Sequence, residues 1–152
     1  MSELKQRLHD DLNVAMKARD EVTLATLRMA LTAVTTEEVA GKAARELSDA
    51  DVVTVLGREA KKRREAAEAF DAANRPELAD RERAEGRVLD RYLPAPLTDE
   101  EVSALVVAAI ERSGASSPRD MGAVMMIVQP QVAGRADGKR VSDEVRRRLA
   151  AG

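Results

Sequence analysis

The sequence contains no cysteine and no tryptophan. Without cysteine there is no disulfide frame, no thiolate nucleophile and no Cys-type metal site. Aromatic residues are nearly absent too, with Phe70 and Tyr92 the only two. A core must therefore be built from Leu, Val, Ala and Met, which favours helix against helix over a sheet sandwich. The same scarcity removes base stacking, so any RNA contact would have to read backbone shape and phosphate. One histidine, His9, leaves no second partner for a nucleophile–base pair or a nitrogen-ligated metal; it reads as an exposed, neutral residue. No window approaches the roughly 18 apolar residues of a membrane span. The opening MSELKQRLHDDL is charged throughout and unlike a signal peptide. A soluble, cytoplasmic protein is expected.

The net charge of −2 and pI near 5.6 argue against an indiscriminate nucleic-acid binder, and no DNA or membrane partner is expected. Charge is unevenly spread. From Gly114 onward there are seven Lys or Arg against four Asp or Glu, so anion binding would be local.

Apolar residues recur at three- and four-residue spacing along the chain, and capping residues punctuate them. The pattern predicts an all-α fold of seven helices. The first, capped by Ser2, carries Leu4, Leu8, Leu12, Ala15 and Met16. Asp20 caps a second, with Val22, Leu24, Leu27, Leu31 and Val34. After a loop at Gly41, Ser48 and Asp51 form a capping box for the longest helix, through Val52, Val55, Leu56, Ala60, Ala67 and Phe70. Gly57 inside it suggests close packing. Asn74-Arg75-Pro76 starts a fourth helix, through Leu78, Val88 and Leu89 to Tyr92. The double-proline stretch Pro94–Leu97 reads as an exposed linker, dividing an amino-terminal domain (1–93) from a small carboxy-terminal one (98–152). Thr98 and Glu101 cap the fifth helix, which Ser113-Gly114 ends. Ser117, Pro118 and Asp120 open the sixth, with Met121, Val124, Met125 and Val128 on one face, Pro130 loosening its last turn and Gly134 closing it. Asp137 and Gly138 make a tight turn into the seventh, with Val141, Val145 and Leu149 inward.

No phosphate-cradling GxxxxGK[ST] loop occurs, and nothing in the acid spacing marks a Mg²⁺ site; Glu65, Glu68 and Asp71 read as solvated surface. No catalytic residue, metal or cofactor is expected. Arg135, Lys139 and Arg140 flank the Asp137-Gly138 turn beside a helix N-terminus, where side-chain charge and backbone N–H groups could meet one phosphate. The bland alternative pairs them with Asp137, Asp143 and Glu144. Lys61-Lys62-Arg63-Arg64 spans more than one helical turn and reads first as a solvated face paired with Glu59, Glu65 and Glu68. Arg146-Arg147-Arg148 reads as the positive end of the last helix.

Several of these residues also carry a resemblance. Asp11-Leu12, Ala15-Met16-Lys17, Leu27-Arg28-Met29, Glu59-Ala60-Lys61 with Arg63, and Tyr92-Leu93-Pro94 resemble the pattern of the YqeY family (GatB/YqeY domain-containing proteins). So do Gly114-Ala115-Ser116, Asp120-Met121-Gly122, Val124-Met125, Gly134-Arg135-Ala136-Asp137-Gly138 and Val141-Ser142. Met126 stands where that pattern has glycine, which bears on how closely the sixth helix packs. The resemblance implies a helical amino-terminal domain and a three-helix tail similar to that of the tRNA-dependent amidotransferase B subunit, which reaches the tRNA elbow. It further implies a tRNA-binding accessory role in translation. Candidate contacts are Arg119, Arg135, Lys139 and Arg140, extended by Lys61, Lys62 and Arg64. Ser117, Asp120, Gly122, Gly134, Asp137 and Gly138 would shape the loop and caps. A second reading is a module docking on a synthetase or amidotransferase, favoured by the acidic pI. A third, by family association only, is a carbon–nitrogen ligase with glutamine as amido-N-donor.

Overall fold

The computed structural model describes residues 1–132 and 135–151. These form seven α-helices and one 3-10 turn, with no strand among the described residues. Helix order is α1 (Glu3–Ala18), α2 (Glu21–Glu38), α3 (Asp49–Ala72), α4 (Pro76–Asp90), α5 (Asp99–Ser113), the 3-10 turn (Pro118–Asp120), α6 (Met121–Val132) and α7 (Gly138–Ala151). The chain divides into two compact units, Met1–Leu93 and Pro94–Gly152.

The caps act as their residue types dictate. Ser2 accepts from the Lys5 N–H and Asp20 from the Thr23 N–H. Ser48 and Asp51 bond reciprocally, as do Thr98 and Glu101, giving two complete capping boxes. The Thr23 hydroxyl first, then the Thr23 N–H, hold the Asp20 carboxyl below its usual range. Arg19 and Asn74 take left-handed conformations (φ 57° and 59°) where α1 and α3 end, and Gly114 does the same after α5 (φ 72°).

In the first unit α1, α2, α3 and α4 close around Leu8, Leu27, Val34, Val52, Leu56 and Leu89. The apolar stripes differ from the expected ones at two places. Met16 and Leu78 are exposed, and Ala15 and Ala79 fill the inward positions. Helix α2 buries Thr23 and Thr26 beside its leucines. The Thr26 hydroxyl donates to the Val22 carbonyl at 2.8 Å, which removes the cost of its burial. Leu47, in the loop before α3, is buried in the same core. A β-carbon on Gly57 would meet no atom within 4 Å, so close packing does not explain that glycine. His9 is half-buried rather than exposed.

In the second unit α5, α6 and α7 enclose a valine core: Val102, Val106, Val124, Val128, Val141 and Val145, with Leu149. Leu97, expected in an exposed linker, is buried in this core, while Pro94, Ala95 and Pro96 are exposed. Pro130 lies in the last turn of α6, which continues to Val132. Met126 is 79% exposed, so its side chain does not enter the packing of α6. Gly134 lies outside the described residues.

Glu144 ties α7 to α5 and to its own last turn. It accepts from Ser103 Oγ on α5 (2.9 Å), from Arg147 (2.8 and 3.0 Å) and from Arg148 (2.9 Å). The arginines, Arg147 foremost, push its carboxyl down to about 2. A group whose folded value is depressed contributes stability that is full above its unfolded value and lost as pH falls through the folded one. The parent protein should therefore lose this contribution between about pH 4.5 and 2. In Glu144→Gln that part of the acid transition should be missing, read from thermal midpoints across the window; identical pH profiles would show that Glu144 is not a stabilising ion pair.

Candidate functional site

The turn between α6 and α7 places three of the sequence-derived cations together, but gives two of them other work. The half-buried Arg135 donates from Nε to the Ala95 carbonyl (3.2 Å), and its own carbonyl accepts from the Leu97 N–H (2.7 Å). Arg140 donates from Nη2 to the Leu97 carbonyl (2.7 Å), with Nε 3.5 Å from Asp99. Both arginines thus hold residues 95–97 against the turn. Lys139 is exposed, and its side-chain ammonium forms no ion pair within 4.0 Å among the described residues. The Asp137 carboxylate already accepts from the Lys139 N–H (3.1 Å), so one donor of the α7 N-terminus is taken. The alternative pairing of these cations with Asp143 and Glu144 does not occur among the described residues. Those acids bind Arg146, Arg147 and Arg148 instead.

Arg119 sits exposed on the 3-10 turn, with no carboxylate within 4.0 Å among the described residues. The turn is fastened by Asp120, whose carboxylate accepts from the Ser116 N–H (2.9 Å) and the Ser117 N–H (3.2 Å). Gly122 is exposed, and a β-carbon there would meet nothing within 4 Å.

In the first unit Lys61 lies 4.0 Å from Glu65 and Lys62 3.0 Å from Glu59. Glu68 has no cation within 4.0 Å among the described residues, and Asp71 pairs with Arg83. Arg64 is exposed and without a carboxylate within the same distance among the described residues. Arg63, the residue of this run left out of the candidate surface, is the one the fold buries, at 7% exposure. It donates to the Glu59 carbonyl (2.9 Å), the Glu59 carboxylate (3.3 Å) and the Met29 sulfur (3.4 Å). Its Nε lies 3.5 Å from Glu85 yet makes no hydrogen bond, and a buried N–H without an acceptor costs about 1–3 kcal/mol. The signal was present in the sequence: position 63 continues the inward series 56, 60, 67, with Glu59 one turn before it.

Beside this network a groove of about 520 Å³ runs between α2 and α3, with Met29, Ala33 and Val55 among its apolar lining and Arg58, Glu59 and Lys62 among its charged residues. Elsewhere in the unit the Tyr92 hydroxyl donates to Asp11 (2.5 Å), under an Arg7 guanidinium 4.6 Å from the ring centre. Burial, then Asp11, push the Tyr92 hydroxyl up, so it serves as a hydrogen-bond donor and not as a base. No group of three or more His, Cys, Asp or Glu side chains among the described residues could hold a metal ion. No described helix is long and apolar enough to cross a membrane. What these surfaces offer chemically is fixed positive charge for anions and one apolar groove.

A protein of Schizosaccharomyces pombe described as uncharacterized is 35% identical over 81 residues, covering 53% of this chain and 63% of that protein. The family model described as Yqey-like protein matches residues 5–149. That span takes in all of α2 to α6 and most of α1 and α7, including the Asp11–Tyr92 and Glu59–Arg63 pairs, and the chain belongs to the YqeY-like family.

Proposed function

We propose that the chain is a non-catalytic accessory protein that binds tRNA through shape and phosphate, in the service of tRNA-dependent amidotransferase or aminoacyl-tRNA synthesis in the cytoplasm. The observation that supports this is the pair of exposed cations in the second unit, Arg119 and Lys139, whose side chains form no ion pair within 4.0 Å among the described residues. Arg135 and Arg140 supply further charge at the turn even while they hold residues 95–97. Lys61, Lys62 and Arg64 are cations of the first unit that a large RNA could also meet. The similarity of the second unit to the amidotransferase B tail belongs to this proposal, as does a carbon–nitrogen ligase activity carried by a complex that the chain joins.

The arginines' structural duties decide how the test is built. Replacing Arg135 or Arg140 loosens residues 95–97 as well as removing charge, so the clean variant is Arg119→Ala with Lys139→Ala. Three to four phosphate contacts give a log–log salt slope of roughly −2 to −4 for tRNA binding. The double variant should flatten it by about 2 and weaken binding alike for different tRNAs, because no base edge is read. Binding that is absent at low salt, or a slope unchanged in the variant, removes the proposal. The α2–α3 groove then favours a second reading, docking on a synthetase or amidotransferase through Met29, Ala33 and Val55.

A further inference from the structure

A second cleft lies between α3 and α4, with a volume of about 240 Å³. Four arginines line it, Arg63, Arg64, Arg83 and Arg87, with Gly86 beside them and Asp90 the single acid of the lining. Two of the four are already engaged: Arg83 with Asp71 and Asp80, Arg63 with Glu59 and Glu85. Arg64 and Arg87 are exposed, with no carboxylate within 4.0 Å among the described residues. The cleft therefore has one fixed, buried guanidinium with an Nε–H that makes no hydrogen bond, and two exposed guanidinium groups with no charge partner.

Gly86 is the second observation. It sits inside α4, where glycine is the poorest residue short of proline. A β-carbon there would meet no atom within 4 Å. Packing within the protein thus gives no reason for glycine, whereas a cleft that must stay open does, since Gly86 is part of its lining.

We infer that the α3–α4 cleft is a binding site for a phosphate group in its dianionic form. Guanidinium forks match the tetrahedral oxygens of phosphate bidentately, and free forks on Arg64 and Arg87 offer more donors than the two oxygens of a carboxylate use. The volume lies below the roughly 300–1,000 Å³ of sites for whole drug-sized ligands, so it suits the phosphate and the few atoms next to it. The carrier is either a small phosphorylated molecule or a terminal phosphate of RNA. The site does not rest on the tRNA reading.

The test uses the full chain, ¹⁵N-labelled, with the arginine Nε–H resonances followed as inorganic phosphate replaces chloride at constant ionic strength. Saturable shifts of Arg63, Arg64 and Arg87 are expected with phosphate and not with chloride. Gly86→Glu puts a carboxylate where a β-carbon has free space, and should weaken phosphate binding at least about tenfold while leaving the thermal midpoint unchanged or raised. Arg64→Ala with Arg87→Ala, both on exposed positions, should do the same without touching the helix glycine. Unlabelled tRNA that displaces the phosphate identifies RNA as the carrier; phosphate that stays bound identifies a small molecule. Shifts that do not saturate, that chloride reproduces, or that both variants retain at parental affinity overturn the site.

Discussion

Arg63→Ala should lower the unfolding free energy of the first unit by about 3 kcal/mol, the loss expected when one member of a buried charge network is removed. The side chains of Arg63, Glu59 and Glu85 are 9%, 15% and 12% exposed. Removing the guanidinium leaves Glu59 with only the exposed Lys62 (3.0 Å) and Glu85 with only the exposed Arg81 (3.3 Å) for partners, and leaves a cavity between α2, α3 and α4. Arg63→Met fills most of that cavity but not the charge deficit, so it should recover less than half of the loss. Combining Arg63→Met with Glu59→Gln and Glu85→Gln should recover most of it, because apolar or neutral replacements of a whole buried network are commonly tolerated. Urea midpoints of the four proteins decide it. A cost below about 1 kcal/mol for Arg63→Ala would mean that the network behaves like a surface pair.

Leu97→Ala is expected to cost about 2–3 kcal/mol in the second unit, at the lower end for a buried leucine. Leu97 is 5% exposed and reaches the valine core from the amino-terminal edge of the unit. A domain of about 60 residues has only a few kcal/mol in total, so this one truncation should remove a large part of its stability. Cleavage by a protease that cuts after Arg135 or Arg140 should accelerate in step, because the two arginines lose the segment they hold. Equal cleavage rates in parent and variant would show that Leu97 is peripheral to the core.

The helices were largely legible because caps and periodicity act locally: Ser2, Asp20, Ser48 and Thr98 bond to amides three residues on, whatever lies elsewhere. Leu97 was misread because proline spacing reports backbone stiffness and says nothing of whether the next side chain finds a core. Met16 and Leu78 were misread for a related reason. Helical spacing admits neighbouring residues to one stripe, and tertiary packing then chose the alanine beside each. The candidate cations were found from composition, but their partners were not. Arg135 and Arg140 donate to carbonyls at positions 95 and 97, some 40 residues earlier in the chain, and no local pattern signals so distant an acceptor. Arg63 could have been read correctly, since its position on the inward series with Glu59 before it is a pattern within one helix. The α3–α4 cleft could not, because Arg64 and Arg87 belong to different helices and only their packing sets them around one space.

Tyr92 has a consequence for how this protein can be watched. It is the only tyrosine, there is no tryptophan, and the lone phenylalanine is Phe70, so every aromatic chromophore belongs to the first unit. The near-ultraviolet spectrum is in effect the signal of one ring, held 6% exposed with its hydroxyl on Asp11. Loss of that hydrogen bond changes the emission of the ring as well as its dichroism. The valine core of the second unit, by contrast, can melt without altering either. Only a backbone signal, or a tryptophan introduced at an exposed α6 position such as Met126, would make that event visible.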